Sequence, residues 1–165
     1  MIAGADLQAI EQGLTSFESI AHRMEDLGSI EGASFINDSK ATNVEATRYA
    51  MESYEQDIIW IAGGIDKGND YDQLRVLVLS KVKALICLGK DNEKLKQAFA
   101  HDVQQVMETE EVSEAVMMAH TLSEPGDVVL FSPTCSSFDL FNNYEHRGDR
   151  FREEVLTLKA RVEKS

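Results

Sequence analysis

The sequence predicts a single α/β domain: a three-layer, Rossmann-like sheet of about five to six mostly parallel strands flanked by helices. Two observations support this fold class. Short apolar runs alternate with helical patterns, and the runs are continuously apolar, as in strands covered by helices on both faces. The length of 165 residues suits one domain with its own core.

The elements can be placed in order along the chain. Strands are predicted over residues 34–37, 57–63, 83–89, 103–107 and 127–132. Helices are predicted over residues 43–55, 71–81, 91–100, 110–121 and 143–162. In the last helix Phe151, Val155 and Leu158 share one face, as a helix packed on a sheet requires. The first 30 residues fit less well: "DLQAIEQGLTSF" is typical of a helix, and the irregular segment after it has room for a short strand.

Composition and charge exclude several classes of function. The net charge of −13 argues against nucleic acid or an anionic membrane as a partner. Small anionic ligands stay possible, because a few basic side chains in one cleft can outweigh a diffuse acidic field. Without an apolar run of membrane-spanning length or a secretory signal, a cytoplasmic location is expected. Cys87 and Cys135 have no zinc-site spacing, and neither a metal site nor a disulfide is predicted.

Three unusually polar segments follow predicted strands. In open α/β sheets ligands bind beyond the carboxyl ends of the strands. We call these segments the first, second and third corners; they comprise residues 37–43, 63–70 and 132–137.

The first corner, "NDSKATN", has a partly structural explanation. Thr42 and Glu45 have the spacing of a capping box, with Thr42 as the N-cap of the next helix. This leaves Asp38 and Lys40 without a structural reason, so a ligand site is the alternative.

The other two corners are also open to two interpretations. In the second corner, "GGIDKGND" permits a close backbone approach but matches neither a Walker A loop nor a GxGxxG motif, so Lys67 is either a solvated turn residue or a ligand contact. In the third, Ser136 or Ser137 could cap a helix or, with a free helix N-terminus, bind an anion. A Cys135–His146 nucleophile lacks a third member.

The order of four motifs resembles a known family. "AHRME", "NDSKATN", "GGIDK" and "SPTCSSFDLFNNYEHRGDRF" together resemble the C-terminal domain of the Mur ligases, over nearly the whole chain. "NDSKATN" and the long last motif are typical of the D-glutamate-adding branch. The resemblance implies that residues 1–22 are the tail of a central domain with its hinge, and that residues 23–165 are the C-terminal domain.

The resemblance also implies a reaction. ATP would phosphorylate the carboxylate of UDP-N-acetylmuramoyl-L-alanine, and the amine of D-glutamate would attack the acyl phosphate. The Walker A loop and the Mg²⁺ ligands belong to the family's central domain, and the UDP pocket belongs to its N-terminal domain. A domain like this one would bind D-glutamate, close over ATP, and act only with those two domains as partners.

Residue roles implied by the resemblance fall into two groups, with no metal ligand in either. Lys40 would reach the phosphates as the catalytic residue. Asp66 stands where the family commonly has glycine, and it would draw Lys67 partly away from substrate. The nucleotide side would comprise His22, Arg23, Asp38 and Lys40, and the D-glutamate side Thr42, Lys67, Ser137 and the backbone of Tyr144.

Two other interpretations are open at this stage. One is the related domain of another amide ligase of the folylpolyglutamate synthase type. The other is a non-catalytic module that senses an amino acid or a nucleotide.

Overall fold

The computed structural model describes residues 21–164, which form a six-stranded sheet with helices on both faces, confirming the predicted fold class. The predicted helix "DLQAIEQGLTSF" lies outside the described residues. The strands are β1 (Glu25–Ile30), β2 (Ala33–Asn37), β3 (Ile58–Gly63), β4 (Val82–Leu88), β5 (Gln105–Thr109) and β6 (Val128–Thr134). The helices are α1 (Val44–Glu52), α2 (Arg75–Lys81), α3 (Glu93–Phe99), α4 (Val112–Leu122) and α5 (Tyr144–Val162), with a 3₁₀ turn (Tyr71–Leu74) before α2.

The strand order places the three corners side by side. The order is β1-β2-β6-β3-β4-β5, with β1 antiparallel to β2 and every other pair parallel. Strand β6, the last in sequence, therefore lies between β2 and β3. Because parallel strands end at the same edge, the segments that follow β2, β6 and β3 are neighbours in that order.

Two apolar layers hold the helices on the sheet. One face packs against α4 and α5, where the Phe131 and Phe151 rings lie 4.5 Å apart. The other face packs against α1, α2 and α3, with Trp60 fully buried. The Trp60 indole donates a hydrogen bond of 2.8 Å to the carbonyl of Ser132, so that even this polar atom is satisfied. Among residues 21–164 no helix is long and apolar enough to span a bilayer.

Three elements differ from the prediction in detail. Strand β5 lies two residues later than predicted, because its register pairs Ala84 with Gln105 and Leu88 with Thr109. The helix predicted over 71–81 starts as a 3₁₀ turn capped by Asp70. The segment with room for a short strand forms β1, whose irregular register spans Asp26 to Ser29.

Candidate functional site

A cleft of about 320 Å³ opens beside the first corner. Its charged end is formed by Arg23, Asp38 and Lys40, three of the four residues predicted for the nucleotide side. Its other lining residues are Met24, Ala41, Ala46, Tyr49, Ala50 and Ser53, mostly from one face of α1. The cleft thus joins a charged end to a largely apolar wall.

Asp38 is held rigidly at the base of this cleft. Its main-chain N–H donates to the carbonyl of Phe131 at 2.8 Å, which ties the corner to β6. Its carboxylate accepts from the Ser132 hydroxyl at 2.9 Å and from the Met24 N–H at 3.2 Å. Burial raises the pKa of Asp38 to about 6, against the opposing effect of these hydrogen bonds and of the Arg23 charge. The cleft therefore contains a fixed acceptor that titrates close to neutral pH.

His22 lies beside the cleft but does not line it. Its side chain is 6% exposed and faces Gly148 on α5, so closely that a Cβ at position 148 would come within 2.2 Å of its ring nitrogen Nδ1. The Asn37 amide nitrogen lies 3.2 Å from the same Nδ1. The His22 carbonyl accepts from the Lys40 N–H at 2.9 Å. His22 is thus linked to Lys40 through its main chain, while its ring packs in the interior.

The predicted capping box at Thr42 is wrong by one residue. Asn43 is the N-cap of α1, and its side-chain oxygen accepts from the Ala46 N–H at 2.9 Å. The helix begins at the buried Val44, and Asn is at least as good a cap as Thr. Thr42 is exposed at the end of the corner and is not used as the cap, so the structural explanation for its hydroxyl no longer applies.

The third corner is a buried turn and not the start of a helix. Ser136 and Ser137 are 6% and 2% exposed, and the helix that follows, α5, is capped by Asn143, which accepts from the His146 N–H at 2.7 Å. The prediction that Ser136 or Ser137 caps a helix, or shares an anion site with a free helix N-terminus, is therefore wrong. Ser136 pairs with Ile65 of the second corner, and residues 138–140 then form a turn before α5.

The second corner makes the close approach that its two glycines predict. Gly64 has a φ of +122°, and a Cβ there would lie 2.2 Å from the Ser136 carbonyl oxygen. Ile65 and Ser136 form a short antiparallel bridge, with N–H to carbonyl distances of 2.8 and 3.3 Å. Ser137 directly follows this bridge, so the structure ties it to the loop that carries Lys67.

Lys67 is exposed on this loop. Contrary to the prediction, Asp66 pairs with Lys94 and not with Lys67. The Asp66 oxygen Oδ1 accepts from Lys94 Nζ at 2.7 Å and from the Gly68 and Asn69 N–H groups at 2.6 and 3.1 Å. The Asp66 carboxylate is therefore already occupied by Lys94 and by the main-chain N–H groups of Gly68 and Asn69. Sequence reasoning did not single out Lys94, because no local pattern connects a residue on α3 to this loop.

Tyr144 contacts the first corner. Its carbonyl accepts from the Ser39 hydroxyl at 2.8 Å, and the Lys40 ammonium lies 5.5 Å from the centre of its ring. This distance is within the range of a cation–π contact. The resemblance implies a contact of the Tyr144 backbone with D-glutamate, and the first corner that Tyr144 contacts also carries Thr42 of the predicted D-glutamate side.

Arg147 is a buried cation between the first and third corners that sequence reasoning missed. It is 1% exposed, and its guanidinium donates to the Ser39 hydroxyl, the Ser39 carbonyl and the Cys135 carbonyl at 3.0, 2.8 and 3.0 Å. Burial lowers its pKa to about 10, so it stays charged at neutral pH. One side chain thus joins the first corner to the third. A signal existed: Arg147 precedes Phe151 by four residues, which places it on the buried face of α5.

Among residues 21–164 the cysteines form no disulfide, and the His, Cys, Asp and Glu side chains form no metal cluster. Both Cys87 and Cys135 are free and buried, and burial raises the pKa of each thiol. Within the part of the chain that the structure describes, no group of three or more His, Cys, Asp or Glu side chains could hold a metal ion.

The fold and the corners define an α/β domain with a cleft at the carboxyl edge of its sheet. Residues 22–135 match the family described as Mur ligase, glutamate ligase domain, and the chain belongs to this family. It is 55% identical over 151 residues to the UDP-N-acetylmuramoylalanine–D-glutamate ligase of Christiangramia forsetii, and 50% identical over 151 residues to that of Porphyromonas gingivalis. Each match covers 92% of this chain and 34% of the relative, so the chain spans about a third of their length.

Solved structures show the same fold at low sequence identity. The MurF ligase of Thermotoga maritima, in complex with ADP, aligns with a TM-score of 0.61 at 15% identity, over 98% of this chain and 35% of that one. The bifunctional folylpolyglutamate synthase/dihydrofolate synthase of Yersinia pestis aligns with a TM-score of 0.59 at 17% identity, over 97% and 35%. These two likenesses concern the fold alone.

Proposed function

We propose that this chain is the domain that binds D-glutamate and closes over ATP in a ligase that adds D-glutamate to UDP-N-acetylmuramoyl-L-alanine in peptidoglycan synthesis. The observation that carries the proposal is the convergence of two kinds of polar group at one sheet edge. Arg23, Asp38 and Lys40 meet on a single cleft, and Ser137 is tied to the loop of Lys67. The relatives named above support the substrate class.

The nucleotide side of the proposed site is the cleft at the first corner. The Asp38 carboxylate, fixed by Ser132 and Met24, would accept hydrogen bonds from ribose hydroxyls. Lys40, whose ammonium lies near the Tyr144 ring, would reach the phosphates. Charge on a transferring phosphoryl group shifts during the reaction, so a positioned lysine stabilises the transition state. We propose Lys40 as the catalytic residue of this chain.

The amino-acid side is formed by the second and third corners with the end of the first. Glutamate carries two carboxylates, and the exposed Lys67 supplies a positive charge for them. The hydroxyls of Thr42 and Ser137 are the proposed hydrogen-bond donors to one carboxylate. A charge-assisted hydrogen bond contributes about 1.5–3 kcal/mol, so these few groups suffice to bind a substrate with an affinity in the micromolar to millimolar range.

The rest of the reaction would be carried by the larger enzyme. We propose that a central domain holds the phosphate-binding loop and Mg²⁺, that an N-terminal domain holds the UDP moiety, and that residues 1–22 include the hinge. Magnesium, when bound there, would neutralise phosphate charge; this chain would orient the amino acid and shield the reacting groups from water. Because the substrates are ATP and a UDP-linked precursor, we propose a cytoplasmic location.

The experiment is a phosphate-release assay with the full-length enzyme containing this chain. Turnover is expected only when ATP, UDP-N-acetylmuramoyl-L-alanine and D-glutamate are all present, and L-glutamate should not replace D-glutamate. The isolated 165-residue chain is expected to show no turnover. Turnover with a folate substrate in place of the muramoyl precursor, or magnesium-dependent turnover by the isolated chain, would overturn the proposal.

A further inference from the structure

A second lysine holds the loop that carries Lys67. Lys94, on α3, directs its ammonium to Asp66, with Nζ 2.7 Å from Oδ1. The same Nζ lies 3.4 Å from the main-chain oxygen of Asn69 and 5.8 Å from the centre of the Tyr71 ring. Lys94 therefore contacts Asp66, Asn69 and Tyr71, which lie on both sides of Lys67 in sequence. It does so from α3, which follows β4, whereas the loop follows β3.

The charge of Asp66 is the reason this contact matters. Burial acts to raise the pKa of Asp66, but hydrogen bonds from Lys94, Tyr71 and the N–H groups of Gly68 and Asn69 lower it to about 2. Asp66 is thus ionised at neutral pH, directly beside Lys67 in the chain. A lysine has a long flexible stem and an ammonium that pairs readily with any nearby free carboxylate. Without Lys94, Asp66 would keep its hydrogen bonds from the Gly68 and Asn69 N–H groups but would lose this positively charged partner.

We infer that Lys94 is a positioning residue that keeps Asp66 from pairing with Lys67, and so leaves the Lys67 ammonium free for a carboxylate of the amino-acid substrate. This inference rests on the proposed function, since it takes D-glutamate as the ligand of Lys67. Lys94 acts through Asp66 and does not itself contact the substrate. The arrangement also explains how this chain accommodates an acidic residue immediately before its substrate-side lysine.

The competing explanation is an ordinary surface ion pair. The Lys94 side chain is 52% exposed, and exposed ion pairs contribute little to stability. On that view, loss of Lys94 changes stability slightly and leaves substrate affinity unchanged. The two explanations therefore differ in the Michaelis constant for D-glutamate.

The test is steady-state kinetics of the full-length enzyme with the substitution Lys94→Met, which removes the charge and keeps most of the aliphatic stem. The D-glutamate KM is expected to rise about threefold to fivefold, because the freed Asp66 competes for Lys67 at the strength of an exposed ion pair. The kcat and the ATP KM should not change. The double variant Lys94→Met with Asp66→Asn should restore the D-glutamate KM, since no carboxylate then competes.

Lys96→Ala is the matched control, because it removes the same charge from the same helix, where Lys96 pairs with Glu93 and Glu108 away from the loop. Its D-glutamate KM should equal that of the wild type. A D-glutamate KM within twofold of wild type for Lys94→Met overturns the inference, and so does a raised KM that the double variant fails to restore. If the wild-type enzyme shows no D-glutamate-dependent turnover, the proposed function itself fails.

Discussion

Arg147 donates to both the hydroxyl and the carbonyl of Ser39, at 3.0 and 2.8 Å, although the two residues are 108 positions apart. The residue after Ser39 is the proposed catalytic Lys40. A third bond from the same guanidinium reaches Cys135 at 3.0 Å. One buried cation thus sets the spacing between the first and third corners, on which both halves of the proposed site depend.

Replacing Arg147 should destabilise the fold strongly. In Arg147→Met the Ser39 and Cys135 carbonyls lose their donors in the interior, and the expected loss is at least about 3 kcal/mol of unfolding free energy. Arg147→Lys should recover only part of it, because a single ammonium cannot replace the fork. Urea denaturation measures both, with the exposed Arg150→Met as the control. A midpoint for Arg147→Met equal to that of the control would contradict this role.

Removing Lys67 should affect the amino acid and not the nucleotide. In the full-length enzyme Lys67→Ala should raise the D-glutamate KM about tenfold to a hundredfold, the equivalent of one charge-assisted hydrogen bond. The ATP KM should change little, because Lys67 follows β3 whereas Asp38 and Lys40 follow β2. Lys67→Arg should rescue only partly. Varying the two substrates separately checks this, and a D-glutamate KM within twofold of wild type removes Lys67 from the site.

Removing Lys40 should act on the chemical step. Lys40→Ala should lower kcat about a hundredfold, a loss typical of one preorganised donor to transition-state charge, with a smaller effect on the D-glutamate KM. Single-turnover measurements with saturating substrates separate this step from binding. If kcat is unchanged and only the D-glutamate KM rises, Lys40 contacts the amino acid instead.

The buried Asp38 should make stability fall as pH rises. Its pKa is raised from 3.8 to about 6 in the folded state, so the folded chain holds this proton more tightly than the unfolded chain. Stability from this group is complete below pH 4 and is lost between about pH 4 and pH 6, by about 3 kcal/mol. Asp38→Asn should therefore be more stable than wild type at pH 8 and equal to it below pH 4.

Thermal unfolding of the two proteins across this pH range measures the effect, with the exposed Asp57→Asn as a control that should follow wild type. In the full-length enzyme Asp38→Asn should also raise the ATP KM, since the charged acceptor is lost. If the stability difference between Asp38→Asn and wild type is the same at pH 8 as at pH 4, burial does not raise the pKa of Asp38.

The sequence revealed most of the fold because the central strands are largely apolar. Strands β3 and β6 are fully buried on both faces, and such apolar runs can be recognised as strands without knowing which strands they pair with. Strand β1 was only indicated, since it lies at an edge, is partly exposed and has an irregular register. The strand order could not be read, because the position of β6 depends on contacts with strands far away in the chain.

The site was predictable where residues lacked a local structural reason. Asp38 and Lys40 stood out in this way, and the structure places both on the cleft. The cap was misplaced because Thr42 and Asn43 are both good caps, and only the exact helix start decides between them. Arg147 and Lys94 were missed because their partners are 108 and 28 residues away, beyond any local pattern.

The central position of β6 has a consequence for synthesis of the chain. On the ribosome, residues up to 127 emerge without the strand that must lie between β2 and β3. Until then Asp38 lacks Ser132, and Gly64 and Ile65 lack Ser136. Long-range parallel pairing of this kind is slow and leaves strand edges open in the meantime. The carboxyl edge of the sheet that carries the three corners is therefore complete only after β6, the last strand to be synthesised, has paired with both β2 and β3.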